Sequence, residues 1–143
     1  MFAIKAEIRD PGAEVFAFSE QKTMYGGKHI ATGDMIFVFA SENEGGPGLI
    51  ACGVVTAAEA CPKKPGMARQ TPRVSITVQR TALAKRRLGR NELKHFSDWS
   101  ADGDADGNGG RPEAELNFKF YRQATDKIVG LSQQAAVFLR GFF

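Results

Sequence analysis

The sequence predicts an α+β fold, a mixed sheet of about five to six strands curled into a partial barrel, with short peripheral helices. Three observations lead there. Two apolar runs of β-forming residues, "MIFVFAS" and "LIACGVVTAAEA", flank the Gly/Pro-rich turn "ENEGGPG", the pattern of a hairpin through a core. Further segments alternate apolar and polar residues, as half-buried strands do. The strands follow one another through short turns and do not alternate with long helices, which disfavours a doubly wound parallel sheet.

In chain order, "FAIKAEI" alternates and predicts the first strand. "RDPGAEVFAFSE" predicts a short helix, with Asp10 as cap, Pro11 at the first helical position and Val15, Phe16 and Phe18 as its apolar face. "QKTMYGGKHIATGD" predicts a loop with a turn at Gly33-Asp34. The hairpin follows, and Gly53 within its second strand marks a bulge or a close backbone approach. "CPKKPGMARQTP" is a basic connection, and "RVSITVQRT" is a strand with Val74, Ile76 and Val78 on one face. "ALAKRRLGRNELKHFSDW" predicts one or two short basic helices broken near Gly89. "AELNFKFYRQ" sets Leu116, Phe118 and Phe120 on one face and predicts another strand. "SQQAAVFLRGFF" predicts a C-terminal helix capped by Ser132 and docking through Ala136, Phe138, Leu139 and Phe142. Residues 1–143 contain no repeat or linker that divides them, so a single domain is expected.

At 43% hydrophobic, with eleven Phe, the chain buries a Phe-rich core without disulfide staples. No apolar run approaches the roughly 18 residues of a membrane span. "MFAIKAEIRD" is too regularly charged for a signal peptide, and Cys52 and Cys61 are expected as free thiols in a reducing, bacterial-type cytoplasm. The net charge of +3 conceals an uneven distribution. Residues 61–95 hold ten Lys or Arg and one acid, whereas residues 98–115 hold six acids and one base. Such a basic block attracts phosphate backbones.

The acidic stretch "ADGDADGNGGRPE" places Asp102, Asp104, Asp106, Gly107 and Glu113 on the template of a calcium-binding loop. Against calcium stand Gly109 where an apolar residue is usual, Pro112 near the end, a predicted strand in place of the exiting helix, and the lack of a second loop. The expectation is a solvated insertion, with no metal and no cofactor.

Signals for an enzyme are poor. His29 and His95 have no metal-ligand spacing with the cysteines, and no nucleophile elbow, P-loop or zinc-protease motif occurs. Signals for binding are better. Lys22, Tyr25, Ser41, Glu42, Asn117 and Tyr121 sit at predicted strand ends beside aromatic rings, which suits a pocket for a flat base. Lys63, Lys64, Arg86, Arg87 and Arg90 are the candidate phosphate contacts.

"ATGDMIFVFAS" followed by "GLIACGVVTAAEA" resembles the PUA-like superfamily, and within it the EVE and ASCH branches. Gly33 and Asp34 match the family's turn, Ile36 to Phe39 its apolar strand and Gly53 to Val55 the return strand, while Lys22 is similarly placed to the lysine of the ASCH loop. Met24, Tyr25 and Gly26 stand where the ASCH glutamate and arginine are usual, and Phe2-Ala3 where many EVE domains have tryptophan. The resemblance covers roughly residues 20–60. It implies a pseudo-β-barrel that binds RNA or DNA, often at a modified base. The rivals are a small hydrolase acting on modified nucleosides through Lys22 and Glu42, a calcium-dependent interaction domain, and an adaptor using an exposed Phe142-Phe143 end.

Overall fold

A computed structural model of the chain describes residues 1–67, 69–99, 111–123 and 125–143. Six strands close into a barrel: β1 (Phe2–Ala6), β2 (Val15–Met24), β3 (Met35–Ala40), β4 (Gly48–Ala60), β5 (Arg73–Leu83) and β6 (Lys127–Gly130), in the spatial order β1-β3-β4-β5-β2-β6. β1 runs parallel to β3, with Phe2 opposite Ile36 and Ala6 opposite Ala40, and antiparallel to β6, with Lys5 opposite Lys127. β2 closes the ring by pairing antiparallel with β5 and parallel with β6.

The two faces of the sheet pack two separate cores. Every strand contributes to the first, through residues such as Ile4, Phe16, Phe18, Val38, Val55, Ile76 and Ile128, so this core fills the barrel. The second joins the outer sheet face to the helices: Ala3, Phe37, Phe39 and Val129 meet Leu116, Phe120, Leu139 and Phe142. β3 alternates between the two, Ile36 and Val38 inward, Phe37 and Phe39 outward. Burial on both faces is why its sequence is apolar without interruption.

The Gly33-Asp34 turn ties the hairpin to the barrel. The Ala31 amide donates to Asp34 Oδ2 at 2.8 Å, Gly33 N to the Val55 carbonyl at 2.7 Å, and Val55 N to the Asp34 carbonyl at 2.9 Å. Gly33 sits at φ 96°, open to glycine without strain. At Gly53 both expected features occur. The β4–β5 register shifts between Cys52 and Gly53, and a Cβ on Gly53 would lie 2.3 Å from the Gln79 carbonyl oxygen.

Three elements differ from expectation. Residues 10–18 form a turn and then a strand, not a helix. Asp10 accepts from Gly12 N at 3.1 Å, so Pro11-Gly12 turns the chain, and Phe16 and Phe18 enter the barrel by alternation. The predicted strand at 114–123 is helical: α2 (Pro112–Leu116) continues as a π-helical turn, Asn117–Arg122. Pro112 starts it at a position that needs no amide hydrogen. Leu116 and Phe120, one turn apart, bury one face, whereas Phe118 turns to Tyr25 and Trp99. β6 was not foreseen. The basic segment after β5 yields only α1 (Arg90–Leu93), because Leu49 N bonds the Leu88 carbonyl and Ala84 N the Ile50 carbonyl, both at 2.8 Å, holding the preceding chain extended.

The C-terminal helix α3 (Gln133–Arg140) starts as expected, with Ser132 Oγ accepting from Ala135 N at 3.1 Å. Glu115 of α2 holds this cap by accepting from the Ser132 amide and hydroxyl. Lys119 in turn donates to Glu115 Oε2 at 2.9 Å and to the Gly130 carbonyl at 2.8 Å. Phe142 is buried and Phe143 lies against Phe37, so the aromatic terminus is part of the second core, not an exposed end. Cys52 and Cys61 are free thiols. No described helix is long and apolar enough to cross a membrane.

Two stability predictions follow from these contacts. Gly53→Ala forces its methyl into the Gln79 carbonyl and should cost about 1–3 kcal/mol in a urea titration. Glu115→Ala strands the buried Lys119 ammonium and should cost about 3–5 kcal/mol, whereas the double change Glu115→Leu, Lys119→Met should recover only the part due to the stranded charge, because Ser132 and the Gly130 carbonyl still lose their partners.

Candidate nucleic-acid interface

The strand directions bring the ends of β1 and β3, the start of β6, the distal part of β2 and the start of β5 to one end of the barrel. A mouth of about 360 Å³ opens there. Glu20, Gln21 and Lys22 of β2 form one wall and Arg73 of β5 the next. Ser41, Asn43 and Glu44, just beyond β3, face Thr125 and Asp126, just before β6.

Local geometry fixes each wall. β2 shifts register between Phe18 and Gln21, and Glu20 takes φ 50° within that bulge. Its amide donates to Ser75 Oγ at 2.9 Å and its carbonyl accepts from Arg73 Nη1 at 2.8 Å. A strained residue at a bulge is a common way to re-aim a side chain at a site. Opposite, Ser41 is buried, its amide donating to the Ala6 carbonyl at 2.8 Å. Arg90 donates to Asn43 Oδ1 at 3.2 Å, and the Arg90 amide donates to Glu42 Oε1 at 2.7 Å. The Asp126 carboxylate lies 3.8 Å from Lys5 Nζ.

Behind the Thr125–Asp126 wall lie two fully buried lysines on the outer face of the sheet. Lys5 donates to the Phe120 carbonyl at 3.0 Å, and Lys127 to the carbonyls of Gln123 at 2.6 Å and Thr125 at 2.9 Å. They satisfy carbonyls left free where the helical segment ends. Burial lowers the Lys127 pKa to about 8, with help from the neighbouring Lys5 charge. Burial likewise lowers that of Lys5, against the pull of Asp126.

The expected pocket residues divide. Lys22 and Ser41 line the mouth. Glu42 and Tyr121 stand behind its wall: Glu42 is engaged by the Arg90 amide, and the Arg90 guanidinium lies 5.6 Å from the Tyr121 ring centre. Tyr121 Oη has no hydrogen-bond partner among the described residues, and burial, with the nearby Glu42 carboxylate, raises its pKa. Asn117 is buried and donates to the Phe96 carbonyl at 3.1 Å. Tyr25 belongs to a separate cluster, edge-on to Trp99 and Phe118, with its hydroxyl on Gln123 Oε1 at 3.0 Å.

The five candidate phosphate contacts also divide. Lys63 and Lys64 line a second cleft, of about 300 Å³, that shares Glu20, Lys22 and Arg73 with the mouth. Arg90 borders the mouth through Asn43. Arg86 instead donates to the Gly141 carbonyl at 2.8 Å and covers the Phe142 ring, and Arg87 faces Glu92 at 3.5 Å. Asp102, Asp104 and Asp106 lie outside the described residues. Glu113 stands in the first turn of α2, so the chain leaving the acidic stretch is helical where a strand was expected. Among the described residues no group of three or more His, Cys, Asp or Glu could hold a metal ion.

Sequence reasoning missed Glu20, Arg73, Asp126 and the lysine pair. Lys5 interrupts an otherwise apolar strand and Lys127 opens another, and that was the available signal.

No family model matches the chain, and no curated protein matches it significantly. Solved structures do. The DUF55 domain of human thymocyte nuclear protein 1 superposes with a TM-score of 0.58 at 16% identity, over 98% of this chain and 96% of that one. Human THYN1 protein, crystallised in complex with DNA containing 5-methylcytosine, gives a TM-score of 0.59 at 17% identity, over 98% and 95%. The closed six-strand barrel with short helices is thus the fold of that DUF55 domain.

The lysine pair makes stability depend on pH. Between about 8 and the ordinary lysine value of 10.5, folded Lys127 has released a proton that the unfolded chain retains. The unfolded state then binds more protons, so stability rises with pH across this window and is insensitive to Lys127 below it. Lys5 acts with the same sign; Tyr121, raised above its ordinary 10.0, opposes it only beyond that value. The urea midpoint should climb from pH 8 towards 10, and Lys127→Met should flatten the climb.

Proposed function

We propose that this chain is a nucleic-acid-binding domain, akin to the EVE branch of the PUA-like superfamily, that takes one modified base into the mouth of its barrel. The observation that carries this reading is the mouth itself: a concave, polar opening whose walls come from strand ends held by buried contacts. Its volume of about 360 Å³ is at the small end of ligand pockets and suits a single base. The structural neighbour bound to 5-methylcytosine DNA supports a modified pyrimidine as the first ligand to test.

In this reading Ser41 and Asn43 address the base edge, and the Asp126 and Glu44 carboxylates accept from exocyclic amino groups. Lys22 sits at the rim. Glu42 and Tyr121 support the wall that carries Ser41 and Asn43, while Asn117 and Tyr25 hold the helical segment that leads to Asp126. Lys63, Lys64 and Arg90 contact phosphates close to the mouth, and Arg86 and Arg87 attract the backbone from farther away. The hydrolase alternative gains no support, since Glu42 is turned to the Arg90 amide and forms no ion pair with Lys22.

Fluorescence anisotropy with short DNA and RNA oligonucleotides, each carrying cytosine or 5-methylcytosine, tests the proposal. The modified base should bind about tenfold or more tightly, and Asn43→Ala should weaken binding to cytosine and 5-methylcytosine alike by about 1–3 kcal/mol. Log affinity should fall with log salt by about 0.7 per phosphate contacted on a single strand. Equal, salt-insensitive binding of all four probes would sink the reading.

A further inference from the structure

The second cleft has a charge character opposite to that of the mouth. The mouth sets Glu20, Glu44 and Asp126 against Lys22 and Arg73. The cleft sets Lys22, Lys63, Lys64, Arg69 and Arg73 against Glu20 alone. None of those five cations forms an ion pair among the described residues. Five cations facing one carboxylate leave the concavity with a net positive field that favours an anion.

The cleft is also built rather than frayed. Gln70 brackets the main chain of Lys64, its Oε1 accepting from Lys64 N at 2.9 Å and its Nε2 donating to the Lys64 carbonyl at 2.7 Å. At its base the Pro72 carbonyl accepts from both the amide of Thr23, at 3.0 Å, and its hydroxyl, at 2.7 Å, and Cys61 N donates to the Arg73 carbonyl at 2.9 Å. These contacts fix the main chain at Lys64 and at the base of the cleft, so binding has the cationic side chains left to order.

We propose that the cleft is a phosphate subsite for the phosphodiester next to the base held in the mouth, so that the ligand is a nucleotide within a strand and not a free nucleoside. The inference rests on the base-binding reading for its choice of anion. The two cavities share Glu20, Lys22 and Arg73 as a common wall. A base in one and its flanking phosphate in the other are separated by one sugar, which passes over that wall. Arg73 is held by the Glu20 carbonyl, so both subsites are set by the β2 bulge. The Arg69 guanidinium offers a planar fork to phosphate oxygens, and Lys63 and Lys64 supply point charges.

Single-stranded oligonucleotides with one central 5-methylcytosine, and with either the 5′ or the 3′ linkage replaced by an uncharged methylphosphonate, provide the test. One replacement should weaken binding to the wild type roughly tenfold and lower the salt slope by about 0.7. The double variant Lys64→Ala, Arg69→Ala, checked for folding by circular dichroism, should bind the charged and uncharged strands alike. Wild-type affinity unaffected by either replacement, with the methyl preference intact, overturns the subsite alone. A linkage effect that persists when cytosine replaces 5-methylcytosine without penalty sinks the base reading and keeps the subsite. If no strand binds, the base reading and the subsite both fall.

Discussion

The ammonium groups of Lys5 and Lys127 hold the turn on which the rest of the architecture depends. They lie opposite each other across β1 and β6, both fully buried on the face that receives the helices. Two like charges in that position are costly. The carbonyls of Phe120 and Gln123, at the end of a helical segment where cations are favoured, and of Thr125 just before β6, offset the cost. The turn so anchored launches β6, the strand that completes the ring, and sets Thr125 and Asp126 in the wall of the mouth. Closure of the barrel and one wall of the candidate site therefore rest on the same few hydrogen bonds.

The strands with strong periodicity were legible in the sequence. β3, β4 and β5 fall where the apolar runs and the alternation put them, and the Gly33-Asp34 turn and the Gly53 irregularity both occur. The helix over 112–122 was not legible, because Leu116, Phe118 and Phe120 satisfy two periods at once. Their alternation suggests a strand, yet Leu116 and Phe120 share one helical face while Phe118 joins a different cluster. β2 was hidden by Asp10-Pro11, which serve a turn as readily as a cap. β6 has four residues, one of them a lysine, too short and too polar to register as a core strand.

The candidate site was partly legible for a related reason. Lys22 and Ser41 sit at strand ends that the periodicity located. Asp126 depends on β6, and Glu20 and Arg73 depend on the bulge that bends β2, so neither wall existed in a reading that lacked those elements. Asn117 and Tyr121 are polar residues in what looked like a strand. Once the segment is helical, their side chains turn inward, to the Phe96 carbonyl and to the space beside Glu42 and Arg90. Polarity in sequence marks a group that needs a partner and does not say whether that partner is solvent, ligand or the protein's own backbone.

Parallel pairing between β2 and β6 extends over only two residue pairs, Thr23 with Ile128 and Met24 with Val129. Every other junction of the ring is longer. This is the seam of the barrel, where thermal breathing parts the fewest hydrogen bonds. It runs up to Lys22 on one side and to Asp126 on the other, so the fluctuation that unzips it also widens the mouth. The shortest joint of the cylinder and the opening at its end are the same place.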